Sequence, residues 1–421
     1  MLLKGGTVID ATGSRQADVL IEHGRVAAVG DGLEHRTTID VAGCVVAPGL
    51  VDLHTHLREP GREEAETVES GSRAAAIGGY TAVVAMPNTE PAIDNAGIVR
   101  HVLDLGLRAL CDVRVAGAIT VGRKGEQLAP LGEMAALGVR LFTDDGNGVQ
   151  DSRLMRRALE YASALGVTLA QHCEDEALAK GGHMNEGEWS SRLGIPGVPA
   201  EAEELMVMRD ITLSRLTGAP VHFLHLSTAG SVAMVGAAKQ QGLPITAEAA
   251  PHHFALTDAE VASYDTVFKV NPPLRTEADV AAVRAGLRNG AIDAIATDHA
   301  PHALEAKDQP FDQAPPGMLG LETALALALT ELDLPIEQVL ALLSWQPARI
   351  AGLTGEHGGP VVEGAPANLT VIDPAATWVV EPERLASRSR NTPYAGRKLT
   401  GRVRHTFLRG EPVVLDGEAQ R

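Results

Sequence analysis

Two histidines one residue apart, His54 and His56 in the stretch VDLHTHLREP, follow an apolar run and a Pro-Gly turn. An extended strand has a side-chain period of two, so both imidazoles face one side and can hold one cation through nitrogen. Taken alone, such a pair fits two packing or surface histidines equally well. Further groups of the same kind recur along the chain. Of eight short apolar runs, six end in a metal-competent or polar side chain: His54 and His56, then Asn88, Asp145, His172, His225 and Asp298. Imidazole and carboxylate together suit Zn²⁺, with Mn²⁺, Co²⁺ or Fe²⁺ also compatible. His172 in AQHCED also fits a satisfied core histidine. His225 in HFLHLST competes with His222; alternation puts the two on opposite faces, and His225, nearer the strand end, is the expected ligand. Asp298 in ATDHAPH could ligate a metal, move protons or cap a helix.

Such residues need elements that bring them together. From residue 50 to about 350, β-branched apolar runs (CVVAPGLVDLH, YTAVVAMPN, CDVRVAGAIT, VRLFTDD, VTLAQHCED, VHFLHLST, LPITAEAAPHH, AIDAIATDHAPH) alternate with helix-like segments such as DSRLMRRALEYASAL and EADVAAVRAGLRNG. That pattern predicts an α/β fold, a (β/α)₈ TIM-like barrel over residues 50–360. The carboxyl ends of barrel strands meet at one mouth, so residues spread over 244 positions (298 minus 54) would converge there. An open doubly wound sheet is the alternative, but no glycine-rich phosphate fingerprint follows the first run. Residues 1–49 and 361–421 read as short strands with Gly and Asp turns and should pair into one small β-sandwich domain made from both chain ends.

The net charge of −18 leaves no basic field for nucleic acid or anionic lipid, so neither is an expected partner. Cys44, Cys111 and Cys173 are odd in number and widely spaced, which fits a reducing compartment. With no run of roughly twenty apolar residues and no leader-like start, the expected location is the cytoplasm.

The motifs APGLVDLHTHLREPG, AMPNTEP, FTDDGNGVQ, HCED, GIPGVPA, HLST, PHH, NPPLR and IDAIATDHAPH together resemble the amidohydrolase superfamily and, within it, bacterial dihydroorotases of the larger, class I type. The resemblance spans nearly the whole chain; HLREPG, NPPLR and TDHAPH are its most specific parts. It implies two zinc ions per subunit bridged by an aspartate. FTDDG has no lysine, and none occurs between Lys124 and Lys180, against the carboxylated lysine of hydantoinases and dihydropyrimidinases. The family's spacing to the next histidine selects Asp145 as the bridge (172 minus 145 is 27) and leaves Asp144 a neighbour. By the same resemblance His54, His56 and Asp298 bind one ion, and His172 and His225 the other. Arg58, Asn88 and His302 hold the substrate carboxylate, with His56, Asn271 and the backbone at Pro316 and Gly317 completing the pocket. Pro316 stands where relatives often carry an aromatic residue, so the contact expected there is a backbone one. Arg58 read by itself also fits a surface arginine pairing with Glu59 or Glu63.

The implied reaction is the reversible cyclisation of N-carbamoyl-L-aspartate to L-dihydroorotate, the third step of pyrimidine synthesis. Asp298 is the implied proton carrier, beside a metal-activated water. Rival readings are a hydantoinase- or dihydropyrimidinase-like hydrolase, and a non-catalytic scaffold for aspartate carbamoyltransferase. Such scaffolds typically lose metal ligands, whereas all six positions are present here. The resemblance also allows a homodimer and a complex of the active enzyme with aspartate carbamoyltransferase. Residues 303–318, rich in Pro, Asp and Gln, read as a segment closing over the site or as an ordinary exposed connection.

Overall fold

The computed structural model describes residues 1–420. Eight short parallel strands form its centre, in two sheets. Leu50–Thr55, Tyr80–Ala85 and Asp112–Val115 make the first; Leu141–Phe142, Thr168–Gln171, Val221–Phe223, Ile245–Ala249 and Ala294–Ile295 make the second. Isolated parallel bridges, Gly117 to Phe142 and Thr55 to His299, link the sheets at both pairs of edges. These strands are largely buried because both faces are covered. One apolar layer, with Val83, Phe142 and Phe223, packs under the helices. A second gathers Val51, Leu53, Val84, Leu141, Ala170, Leu224 and Ala296 from both sheets.

Local signals set the helices between the strands. Thr67 caps Val68–Ile77, with Ser70 returning the bond in a capping box. Asp151 caps Ser152–Leu165, which ends at left-handed Gly166, and Thr276 caps Glu277–Asn289, which ends at left-handed Gly290. Among the described residues no helix is long and apolar enough to cross a membrane.

The chain ends build two further sheets. Leu2–Lys4, Asp18–Glu22, Arg25–Gly30 and Thr38–Asp40 form one. The other joins N-terminal Val45–Pro48 to C-terminal Leu369–Val379, which in turn pairs with Lys398–Leu408. Leu3, Val8, Val46, Leu369, Val371 and Phe407 form the apolar contact between the two ends of the chain.

Residues 303–318 are half exposed but are anchored from beneath. Lys307 is buried, its ammonium donating to the carbonyls of Thr266 (2.8 Å) and Pro315 (2.9 Å), and Lys269 donates to those of Phe311 (2.7 Å) and Asp312 (3.1 Å). Burial pushes the Lys307 ammonium down to about 7. Two lysines that collect backbone carbonyls hold the segment in place while its polar residues face solvent.

Candidate metal centre

The first strand carries both histidines past a bulge. Its pairing runs Asp52 to Val83 and then Thr55 to Ala85, so three residues oppose two. Strict alternation therefore fails here: Leu53 joins the apolar layer between the sheets, while His54 lies with its centroid 5.2 Å from that of His56. A similar departure corrects the expectation for His222 and His225. The strand stops at Phe223, and His225 takes a left-handed φ of 28°, so both histidines reach the same polar cluster and not opposite faces. Arg58 (φ 61°) and Asp298 (φ 46°) are left-handed too. Each such non-glycine residue costs roughly 1 kcal/mol and concentrates at sites that need one particular side-chain direction.

Asp145 is the hub. Its Oδ1 lies 3.4 Å from His54 Nε2 and 3.7 Å from both His172 Nδ1 and His225 Nε2; its Oδ2 lies 3.7 Å from His56 Nε2. Asp298 Oδ1 lies 3.1 Å from His56 Nε2 and 3.5 Å from His54 Nε2. His54, His56 and Asp145 form one group able to hold a cation, and Asp145, His172 and His225 a second. Burial alone would raise the Asp145 carboxyl; the charge of His54 and the close imidazoles of His172 and His225 hold it well below the usual carboxylate range. Asp298 is lowered in the same way, burial being outweighed by His54 and His56.

The donor set fits divalent ions. His54 Nε2 is buried without a hydrogen-bond partner, and His172 Nδ1 and His225 Nε2 face each other at 2.9 Å beside one carboxylate oxygen. His54 Nδ1 donates to Glu248 Oε1 (3.0 Å), which leaves the lone pair on Nε2 for a metal. Glu248 also takes His222 Nε2 (3.0 Å) on its other oxygen. Sequence reasoning missed Glu248, although a carboxylate inside the buried strand ITAEA is itself a signal, since an unpaired charge is not tolerated there. Asp52 was missed likewise: it accepts the backbone N–H and the hydroxyl of Thr297, each at 2.7 Å, and so fixes the residue before Asp298.

Around this centre lie the remaining expected residues. Asn88 spans one imidazole and one carboxylate, accepting from His56 Nδ1 (2.8 Å) and donating to Asp145 Oδ2 (3.0 Å). Asn271 Nδ2 lies 3.4 Å from His172 Nε2. Arg58 is buried, not on the surface, and neither Glu59 nor Glu63 pairs with it; its Nε donates to the carbonyl of Pro301 (3.1 Å). Among the described residues no carboxylate forms an ion pair with Arg58, and burial lowers it to about 10. His302 Nε2 donates to the Pro316 carbonyl (2.8 Å), 3.4 Å from Arg58 Nη2, and burial followed by the Arg58 charge lowers His302 to about 3. Gly317, at φ 146°, packs so closely that a Cβ would fall 2.8 Å from His302 Nε2. Asp144, the neighbour of the hub, instead accepts the N–H groups of Ile119 (2.9 Å) and Thr120 (3.0 Å).

The family described as Dihydro-orotase-like matches residues 43–231. The chain is 51% identical to a dihydroorotase of Streptomyces coelicolor and 48% identical to one of Pelotomaculum thermopropionicum, each alignment covering 99% of both chains. It is 51% identical to a dihydroorotase of Mycobacterium leprae over 94% of both. Among solved structures it resembles the L-hydantoinase (dihydropyrimidinase) of Arthrobacter aurescens, with a TM-score of 0.89 at 25% identity over 100% of this chain and 97% of that one. A D-hydantoinase from Thermus sp. gives a TM-score of 0.85 at 26% identity over 99% and 96%. The hydantoinases share the architecture at low identity, whereas the dihydroorotases match end to end at about half of all positions, and the chain belongs to the dihydroorotase family.

Proposed function

We propose that this chain catalyses the reversible cyclisation of N-carbamoyl-L-aspartate to L-dihydroorotate with loss of water. The observation that carries this reading is Arg58: a buried guanidinium with no carboxylate partner among the described residues, next to a pair of metal-competent groups. A buried cation without a counter-charge is costly unless a ligand brings one, and its planar fork matches a carboxylate. Hydantoin and dihydrouracil carry none. We read the eight strands as a closed barrel, joined at the bridges from Gly117 to Phe142 and from Thr55 to His299. Residues 1–49 and 361–421 are read as the small β-sandwich domain.

Zinc, held by His54, His56 and Asp298 on one side and His172 and His225 on the other with Asp145 between, would supply an acidified water and polarise the amide carbonyl. Arg58 and His302 anchor the substrate carboxylate, which fixes the ring over the centre. Asp298, at the end of its strand and lowered into its ionised form, accepts a proton at its carboxylate and returns it to the leaving ring nitrogen. In the synthetic direction the same carboxylate runs the path backwards. The enzyme is read as cytoplasmic, in keeping with three buried free cysteines, and the reading admits a homodimer and an assembly with aspartate carbamoyltransferase.

The test is an assay of the zinc-loaded protein on dihydroorotate and N-carbamoyl-L-aspartate beside hydantoin and dihydrouracil, with Asp298→Ala and Arg58→Met. Turnover of dihydroorotate alone, lost in Asp298→Ala and with KM raised in Arg58→Met, is the expected result. Turnover of hydantoin or dihydrouracil, or metal binding without any turnover, would overturn it.

A further inference from the structure

Asn391 lies ninety-three positions beyond Asp298 (391 minus 298), in the last part of the chain, yet its side chain is buried against the pocket wall. Its Nδ2 donates to the carbonyls of Ala300 (3.0 Å) and Gly317 (3.1 Å), and its Oδ1 accepts the backbone N–H of His302 (3.1 Å). Its own carbonyl accepts the N–H of Leu319 (3.1 Å). The orientation of the carboxamide follows from these partners, since two carbonyls need a donor and an N–H needs an acceptor. One side chain thus ties the segment of Ala300 and His302 to the segment of Gly317 and Leu319.

The residues before it dock on the loop that follows Arg58. Ser387 and the Arg388 N–H both donate to Glu66, the latter at 3.0 Å, and Ser389 Oγ donates to the carbonyl of Ala65 (2.7 Å). We infer that Asn391 is a positioning residue for the substrate carboxylate, holding His302 and the Pro316–Gly317 backbone at the distance from Arg58 that recognition needs. The inference rests on the proposed function. Only a carboxamide serves all three contacts: aspartate has the same shape but sets oxygen against the carbonyls of Ala300 and Gly317.

The experiment compares wild type, Asn391→Asp, Asn391→Ala and Ser389→Ala, all zinc-loaded. It measures KM and kcat for dihydroorotate, calorimetric affinity for orotate as a non-reacting ring carboxylate, and bound metal. Both Asn391 variants should raise KM and the orotate Kd by at least about tenfold, the scale of one or two displaced hydrogen bonds. Their kcat should stay within about threefold, with metal content unchanged, because Asn391 touches none of the six candidate ligands. Ser389→Ala, which loosens the same segment elsewhere, should leave KM unchanged, and Asn391→Ala serves where the aspartate variant fails to fold. Unchanged KM and Kd, an equal rise in Ser389→Ala, or joint loss of kcat and metal would overturn the positioning role. A wild type that neither turns over dihydroorotate nor binds orotate would instead refute the functional reading on which it rests.

Discussion

Removing the Glu248 carboxylate should weaken metal binding without touching a metal ligand. Glu248 is fully buried and accepts one hydrogen bond from His54 and one from His222, each 3.0 Å long. Burial pushes its carboxyl up, but the hydrogen bonds and charges of His222 and His54 outweigh that and hold it near about 2. In Glu248→Ala two buried imidazole N–H groups lose their acceptor, at about 1–3 kcal/mol each in stability. His54 also loses the contact that fixes its tautomer and ring direction, and losses of that kind cost about 10–100-fold in metal affinity. The assay is chelator competition with metal counted per subunit, alongside thermal melts of the metal-free protein. Glu248→Gln should fall between, since its carboxamide keeps one acceptor and turns an NH₂ toward the other imidazole. Metal affinity within about threefold of wild type in Glu248→Ala would refute the argument that second-contact carboxylates orient this centre.

Asp145→Ala should abolish binding of both ions while His225→Ala removes one, read as metal per subunit; equal loss in the two would refute Asp145 as the shared ligand. Gly317→Ala places a Cβ 2.8 Å from Ala300 Cβ and from His302 Nε2 at a φ of 146°, so it should cost about 1–3 kcal/mol in denaturant unfolding and raise KM for dihydroorotate. Asp112 is buried enough to be pushed up, yet hydrogen bonds from His357 and Arg409 lower it to about 2. Its folded value lies below the unfolded one near 4, so its contribution is present at neutral pH and lost as pH falls from about 4 to about 2, on the order of 2–3 kcal/mol. Arg409→Ala should shrink that acid loss, and an unchanged acid limb in urea titrations across this window would refute the pairing.

Much of the centre could be read before any coordinates. The alternation of apolar runs with helix-like segments places eight strands, and His54, His56, Asp145, His172, His225 and Asp298 fall at or just past strand ends, where parallel strands deliver their side chains. The absence of lysine between Lys124 and Lys180 was equally plain. Face assignments were not. The bulge between Asp52 and Thr55 and the left-handed backbone of His225 break the period of two, and neither leaves a local signature in residue type. Composition left the segment 303–318 open between a closing and an exposed reading, because the partners that anchor it, Lys269 and Lys307, act through backbone carbonyls that any sequence possesses.

Side-chain chemistry and strand period are local properties, so the sequence by itself determined which residues could bind a cation, how many parallel strands would carry them, and which family's motifs they compose. The tertiary structure alone decided that Glu248 orients His54, that Arg58 is buried with its charge unpaired, and that Asn391 holds His302 and Gly317 together. Those facts depend on contacts between segments separated by tens to hundreds of residues, 194 between His54 and Glu248 and 89 between His302 and Asn391. Only the closed packing of the chain specifies such neighbours, because no periodicity within either segment encodes the other.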